Sequence, residues 1–124
     1  MSAGLYLTPG NYLSTAHVHR VNQIIIYMRR NYKLERLQNG ETFVTREKGN
    51  SMVPLIYSRQ DHRLAPVKIE DVEVGDIVYC KVKGNFYTHL VKAKEDKKGC
   101  LIGNNRGGTN GWTRQVYGKV IEIL

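Results

Sequence analysis

Val74-Gly75-Asp76-Ile77-Val78-Tyr79-Cys80-Lys81-Val82-Lys83-Gly84-Asn85-Phe86-Tyr87-Thr88-His89-Leu90-Val91-Lys92-Ala93 reads as a turn, a strand, a second turn and a returning strand. Gly75-Asp76 and Gly84-Asn85 supply the turns, because glycine and asparagine tolerate the backbone angles that reversals need. Between them Ile77 to Val82 is rich in β-branched and aromatic residues, and Phe86 to Ala93 returns in the same manner. The pattern then repeats toward the C-terminus. Glu95 to Gly99 is a charged turn and Cys100-Leu101-Ile102 a short strand. Gly103 to Gly111 holds four glycines and three asparagines and reads as a long flexible loop. Val116 to Leu124 is a closing strand. Short strands at close spacing with Gly/Asn turns predict a mainly β, antiparallel, barrel-like fold.

Upstream, Asn39-Gly40 is a strong hairpin signal and predicts that Tyr32 to Gln38 pairs with Glu41 to Arg46. Ser58 to Pro66 is polar and reads as a loop or a widened hairpin end, and Val67 to Asp71 leads into the Val74-Gly75-Asp76 turn. Ser14 or Thr15 can cap a helix. Val18, Val21, Ile25, Met28 and Tyr32 recur at spacings of three and four, which predicts one N-terminal amphipathic helix over about Thr15 to Arg30. The expected organisation is an N-terminal extension over 1–40 and a β domain over 41–124.

The chain has 124 residues, enough for a sizeable core, and a net charge of +8. Its longest apolar run, Ile24 to Met28, falls far short of the ~18 residues that span a bilayer. Met1 to Thr15 lacks a basic segment ahead of an apolar core, so neither a signal peptide nor membrane attachment is expected. Cys80 and Cys100 have no metal-type spacing and read as core thiols of a reducing, cytoplasmic protein. No metal or other cofactor is called for. The positive charge suits an acidic partner, nucleic acid or protein, and Arg29, Arg30, Lys33 and Arg36 form the best candidate surface. The Lys92, Lys94, Lys97 and Lys98 group is mixed with Glu95 and Asp96, as at a solvated hairpin tip. The first dozen residues do not read as helical, so a complete helix-turn-helix does not fit the N-terminal segment.

One stretch carries chemistry. Gly49-Asn50-Ser51-Met52-Val53-Pro54 places a serine where the chain turns after the β-rich Thr42-Phe43-Val44-Thr45. A serine hydroxyl becomes a nucleophile only when a base takes its proton. The histidines His17, His19, His62 and His89 are candidates, as are several lysines. His89 is favoured because it lies within a core strand beside Tyr87, Leu90 and Val91, where a half-buried imidazole can face a cleft.

The ordered set resembles the superfamily that unites type I signal peptidases with LexA-type self-cleaving repressors. Gly49 to Pro54 is similar to its nucleophile box, and Val74-Gly75-Asp76-Ile77-Val78 to its Gly-Asp turn and strand. Thr88-His89-Leu90-Val91 resembles the histidine form of its general base, found in the endoplasmic-reticulum and archaeal enzymes. Gly103-Asn104-Asn105 and Val116-Tyr117-Gly118-Lys119-Val120 are similar to its late loop and closing strand. The resemblance covers about residues 41 to 124. It implies a LexA/signal-peptidase β domain and a small serine peptidase with a Ser51/His89 dyad. It also implies a peptide or protein substrate, self or other, bound as an added strand. The backbone at Ser51 and Met52 would hold the oxyanion, with support from Asn104. Relatives that cleave themselves cut before glycine after a small residue, a form that Ala3-Gly4 has. A free-standing basic domain of this kind is similar to those of phages and mobile elements.

The chain departs from the family in three respects. Residues 103 to 111 hold no aspartate to stand behind His89, which leaves Asn104 or Asn110 to orient the ring. Asp61 and Asp76 are the other carboxylates considered. Asp76 belongs to the Gly-Asp turn, and Asp61 reads as solvated. The apolar anchor of the membrane enzymes is missing, and so is room for the repressors' DNA-binding domain. Lys92 lies three residues past His89, on the opposite strand face if pairing is regular. The alternative function is a non-proteolytic binding protein on the same fold, engaging its partner through the basic surface.

Overall fold

A computed structural model describes residues 31–124. The helix expected over Thr15 to Arg30, the Ala3-Gly4 bond, His17, His19, Arg29 and Arg30 lie outside the described residues. Lys33–Leu124 forms one compact unit. The described elements begin with helix α1 (Tyr32–Gln38), followed by strands β1 (Phe43–Thr45) and β2 (His62–Pro66) and a 3-10 turn at Ile69–Asp71. Strands β3 (Ile77–Val82), β4 (Asn85–Glu95), β5 (Gly99–Gly103), β6 (Thr109–Thr113) and β7 (Val116–Ile123) complete them. The strands form one antiparallel sheet in the order β1-β2-β7-β3-β4-β5-β6. The sheet is not closed: β1 and β6 are its edges.

Three expectations are corrected. Tyr32–Gln38 is a helix, not a hairpin arm. Asn39-Gly40 ends it instead of joining two strands, since Glu41 N–H donates to Arg36 O at 2.9 Å and Gly40 N–H to Leu37 O at 3.0 Å. These two bonds form a Schellman cap, with Gly40 at φ +82° in the left-handed conformation the cap needs. Leu37 is buried with Phe43, Leu64 and Tyr79, so residues 33–40 belong with the β unit and not to an extension ending at residue 40. The second correction is β2, which occupies the end of the segment expected as a loop. Its Leu64 is fully buried, and Arg63 pairs with Glu122 of β7 at 2.9 Å. The third is β6, which forms inside the glycine-rich loop and pairs with β5.

The period of two along β3 divides the core. Val78, Cys80 and Val82 turn to one face and join Val72, Val91, Cys100, Ile102 and Val116. Tyr79 turns to the other and joins Leu37, Phe43 and Leu64. Full burial of a Val or Leu side chain contributes about 1.5–3 kcal/mol. Gly118 lets α1 approach β7, because a Cβ there would stand 2.9 Å from Leu37 Cδ1. Burial pushes the Cys80 thiol up to about 12 and raises that of Cys100. Both stay neutral inside the core, where a thiol is unreactive.

Gly99 and Gly84 both turn the chain with positive φ, but in different surroundings. A Cβ at Gly99 (φ +85°) would collide with the backbone oxygen of Thr113, whereas one at Gly84 (φ +84°) would meet nothing within 4 Å. Gly99→Ala is therefore expected to destabilise by about 2–4 kcal/mol and Gly84→Ala by about 1 kcal/mol. Urea unfolding midpoints compare the two directly, and equal losses would contradict the packing argument.

Candidate active site

Ser51 sits in a loop tied at its base. Arg59 N–H donates to Glu47 O at 2.6 Å, and Gly49 N–H donates to Ser58 Oγ at 3.0 Å. Gly49 holds φ +127°, which a side chain would oppose. Met52 plugs the loop into the protein at 5% exposure, and its carbonyl accepts from Leu55 N–H at 2.8 Å and Ile56 N–H at 3.0 Å. The loop is also held from the late part of the chain. Asn105 N–H donates to Ser51 O at 2.8 Å, and Asn105 Nδ2 donates to Val53 O at 3.1 Å.

His89 comes from β4, opposite Val78 of β3. The Gly-Asp turn fixes its height: Gly75 N–H donates to Val91 O at 2.9 Å, and Val91 N–H donates to Asp76 O at 2.8 Å. Asp76 holds the turn together through Glu73 N–H at 2.8 Å and Lys119 Nζ at 3.3 Å. Tyr87, two residues before His89 and on the same strand face, stacks on its ring with centroids 5.0 Å apart.

Loop and strand meet. His89 Nε2 lies 3.0 Å from Ser51 Oγ, and His89 Nδ1 lies 2.7 Å from Asn110 Oδ1. The amide oxygen can only accept, so Nδ1 carries the ring proton and Nε2 presents its lone pair to the serine hydroxyl. This is the tautomer a general base requires. The backbone N–H groups of Ser51 and Met52 have no acceptor among the described residues. Because the Ser51 carbonyl is turned to Asn105, the planar peptide directs Met52 N–H the opposite way. Two amide donors beside a serine oxygen can hold the negative oxygen of a tetrahedral intermediate.

Of the supporting residues considered, Asn110 reaches the ring and Asn104 does not. Asn104 Oδ1 closes its own loop, accepting from Arg106 N–H at 2.8 Å and Gly108 N–H at 2.9 Å. Asn110 is the extra residue of a bulge: Gly111 pairs with Ile102 and Thr109 with Gly103, leaving Asn110 unpaired between them. A bulge re-aims the side chain it carries. Lys92 is likewise an extra residue, between Val91 and Ala93, and its stem lies along Gly103. The carboxylates are engaged elsewhere, Asp76 as above and Asp61 with Arg46 at 2.8 Å. Among the described residues, no three His, Cys, Asp or Glu side chains converge as metal ligands would.

Asn105 contributes to the site without a signal of its own in the sequence, and His62 lies beside it without being the base. Asn105 adjoins the glycine-rich stretch, a position that signals a loop but not what the loop grips. His62 was one of several possible bases. It is 1% exposed and lines, with Ser51 and His89, a cavity of about 190 Å³. Of the cationic surface, Lys33 pairs with Glu47 at 3.4 Å and lies over the Tyr79 ring, and Arg36 pairs with Glu41 at 3.2 Å and lies over Phe43. No helix among the described residues is long and apolar enough to cross a membrane. Compared with known proteins, the chain matches no family model, no curated sequence and no solved structure.

Proposed function

We propose that the chain is a small serine peptidase with a Ser51/His89 dyad, acting on a peptide bond of its own chain or of another protein. The single observation that carries this reading is the relay Ser51 Oγ, His89 Nε2, His89 Nδ1, Asn110 Oδ1, with both contacts at 3.0 Å or less. In the first step His89 Nε2 takes the Ser51 proton as Oγ bonds to the scissile carbonyl carbon. The oxygen becomes an oxyanion and accepts from the Ser51 and Met52 N–H groups. The C–N bond then breaks, and the imidazolium gives its proton to the leaving amine. This yields an acyl ester on Ser51. Water, deprotonated by the same nitrogen, attacks the ester and releases the acid.

The sheet has a place for such a substrate. One edge of β4 pairs with β3 along Asn85 to Leu90, while β5 begins to pair on the other edge only at Leu90. Phe86 to His89 thus leaves an edge open beside the Ser51 loop, and an extended peptide can add there as a strand. The Ser51 box, the Gly-Asp turn, the histidine strand and the late loop follow the order of the signal-peptidase and LexA superfamily. We place the chain on that barrel-like fold as a reducing, cytoplasmic member. The alternative, a binding protein using its basic surface, is supported less, because Lys33 and Arg36 are engaged within the protein.

The test is incubation of the full chain with a degenerate peptide pool, products being read by mass spectrometry. Cleavage that vanishes in Ser51→Ala is the expected result. Absence of cleavage by the parent protein, or its persistence in Ser51→Ala, overturns the assignment.

A further inference from the structure

The Ser51 site is assembled from Lys48 to Gln60, Asn85 to Ala93 and Gly103 to Gly111. None of these segments holds an aspartate or a glutamate, and together they carry Lys48, Arg59, Lys92 and Arg106. Elsewhere in the described residues the protein pairs its cations. Lys33, Arg36, Arg46, Arg63, Lys98 and Lys119 each meet a carboxylate at 3.9 Å or less. Lys94 and Arg114 donate to backbone carbonyls. Lys48, Arg59 and Arg106 are exposed and have no such partner among the described residues.

Backbone bonds set these three around the nucleophile. Lys48 stands three residues before Ser51 and lines the cavity beside it. Arg59 N–H donates to Glu47 O at the base of the Ser51 loop. Arg106 follows Asn105, whose N–H donates to Ser51 O. The one carboxylate that lines the cavity, Glu47, is held by Lys33 at 3.4 Å. The mouth of the site is therefore positive with nothing of its own to answer it. Like charges around one opening repel each other, and a ligand with carboxylates relieves that repulsion and is drawn in by the same field. The ligand class follows from the neighbouring sheet. Phe86 to His89 offers an open strand edge, which bonds the backbone of an extended peptide and has no counterpart in a phosphate chain.

We infer that this cationic rim selects peptide substrates that carry aspartate or glutamate close to the scissile bond. Lys48, Arg59 and Arg106 are its specificity-determining residues. The inference rests on the peptidase reading for the identity of the ligand as a peptide. The rim acts on binding and encounter, not on proton transfer at Ser51.

The experiment separates the two readings. Ser51→Ala protein is titrated with matched fluorescent peptides that differ only in Glu for Gln or Asp for Asn. At physiological salt the acidic members should bind about tenfold tighter, the summed effect of three exposed charge contacts. At about 1 M salt, where the Debye length falls to about 3 Å, the difference should disappear. Exchanging Lys48, Arg59 and Arg106 together for Gln should also remove it, and exchanging all three for Glu should favour Lys-bearing peptides instead. Lys97→Glu is the control. Six residues of β4 at about 3.3 Å each separate His89 from Glu95, so a charge in the following turn lies beyond the ~8 Å Debye length and should leave the preference unchanged. Thermal melts accompany each variant, and if the Glu triple variant does not fold the Gln triple variant decides. The inference is overturned if no peptide binds, if acidic and amide members bind alike, if the preference survives in the folded Gln triple variant, or if Lys97→Glu removes it equally. Single-stranded DNA bound through the same three residues, with no acidic peptide preferred, also overturns it. Hydrolysis by the parent protein, measured alongside, judges the peptidase reading alone. Acid-selective binding without cleavage keeps the rim and removes the activity, and cleavage without acid preference does the reverse.

Discussion

His89→Ala is expected to lower kcat for peptide hydrolysis by about 10³-fold or more while leaving the fold intact, in line with the loss of a serine enzyme's general base. The size follows from the geometry. Among the described residues Ser51 Oγ has a single side-chain acceptor within reach, His89 Nε2 at 3.0 Å, and without it the hydroxyl must lose its proton to water. The fold should tolerate the change, because the strand is fixed by backbone bonds to β3 and by the Gly-Asp turn. The ring does stack on Tyr87, so a modest fall in melting temperature accompanies the substitution. A substrate that binds along the β4 edge meets mainly backbone there. KM should therefore move little and the loss should fall on kcat. Initial rates across substrate concentration, with Ser51→Ala as the zero, make the measurement. A drop of less than tenfold in kcat would assign the proton transfer to another group.

The strands that carry this site differ in how plainly the sequence announces them. Ile77–Val82, Phe86 to Ala93 and the closing strand are dense in β-branched and aromatic residues between Gly/Asn turns, and each lies in the sheet. Asn39-Gly40 misleads because the left-handed glycine that closes a two-residue hairpin also ends a helix. The choice between the two rests on Leu37, whose burial against Phe43 and Leu64 is a long-range fact. β2 is hidden by its composition. His62-Arg63-Leu64-Ala65-Pro66 has one strongly apolar residue, and its strand state depends on pairing with β7, some sixty positions away. β6 is hidden by Gly111 and Asn110, which read locally as loop. The pairing of Ser51 with His89 was legible from residue types and order, since serine in a turn and histidine in a core strand are each informative. Its support was not. Asn104, Asn105 and Asn110 are alike in sequence, and a bulge and an Asx-type turn decide which of them faces His89, which grips the Ser51 loop and which closes on itself.

Because Asn110 is the residue behind the base, it is also where the site should be open to improvement. Asn110→Asp is expected to raise kcat/KM by about tenfold, because a charged hydrogen bond contributes roughly 1–2 kcal/mol more than a neutral one and about 1.4 kcal/mol is tenfold in rate. Proton transfer makes His89 an imidazolium, which a carboxylate at 2.7 Å stabilises and an amide oxygen merely orients. The pH profile should carry the signature. A negative charge beside the ring favours its protonated form, so activity is lost at higher pH on acidification than in the parent. The acid limb of the profile therefore moves up as the plateau rises. Asn110→Leu should do the reverse to the plateau. It leaves Nδ1–H without an acceptor in a part-buried site and frees the ring to turn from Ser51, at a cost of about 10- to 100-fold in kcat. If aspartate and leucine lower the rate alike, Asn110 is a packing residue of the bulge. If aspartate raises the plateau and shifts the limb while leucine lowers the plateau, the amide is positioning the base through Nδ1.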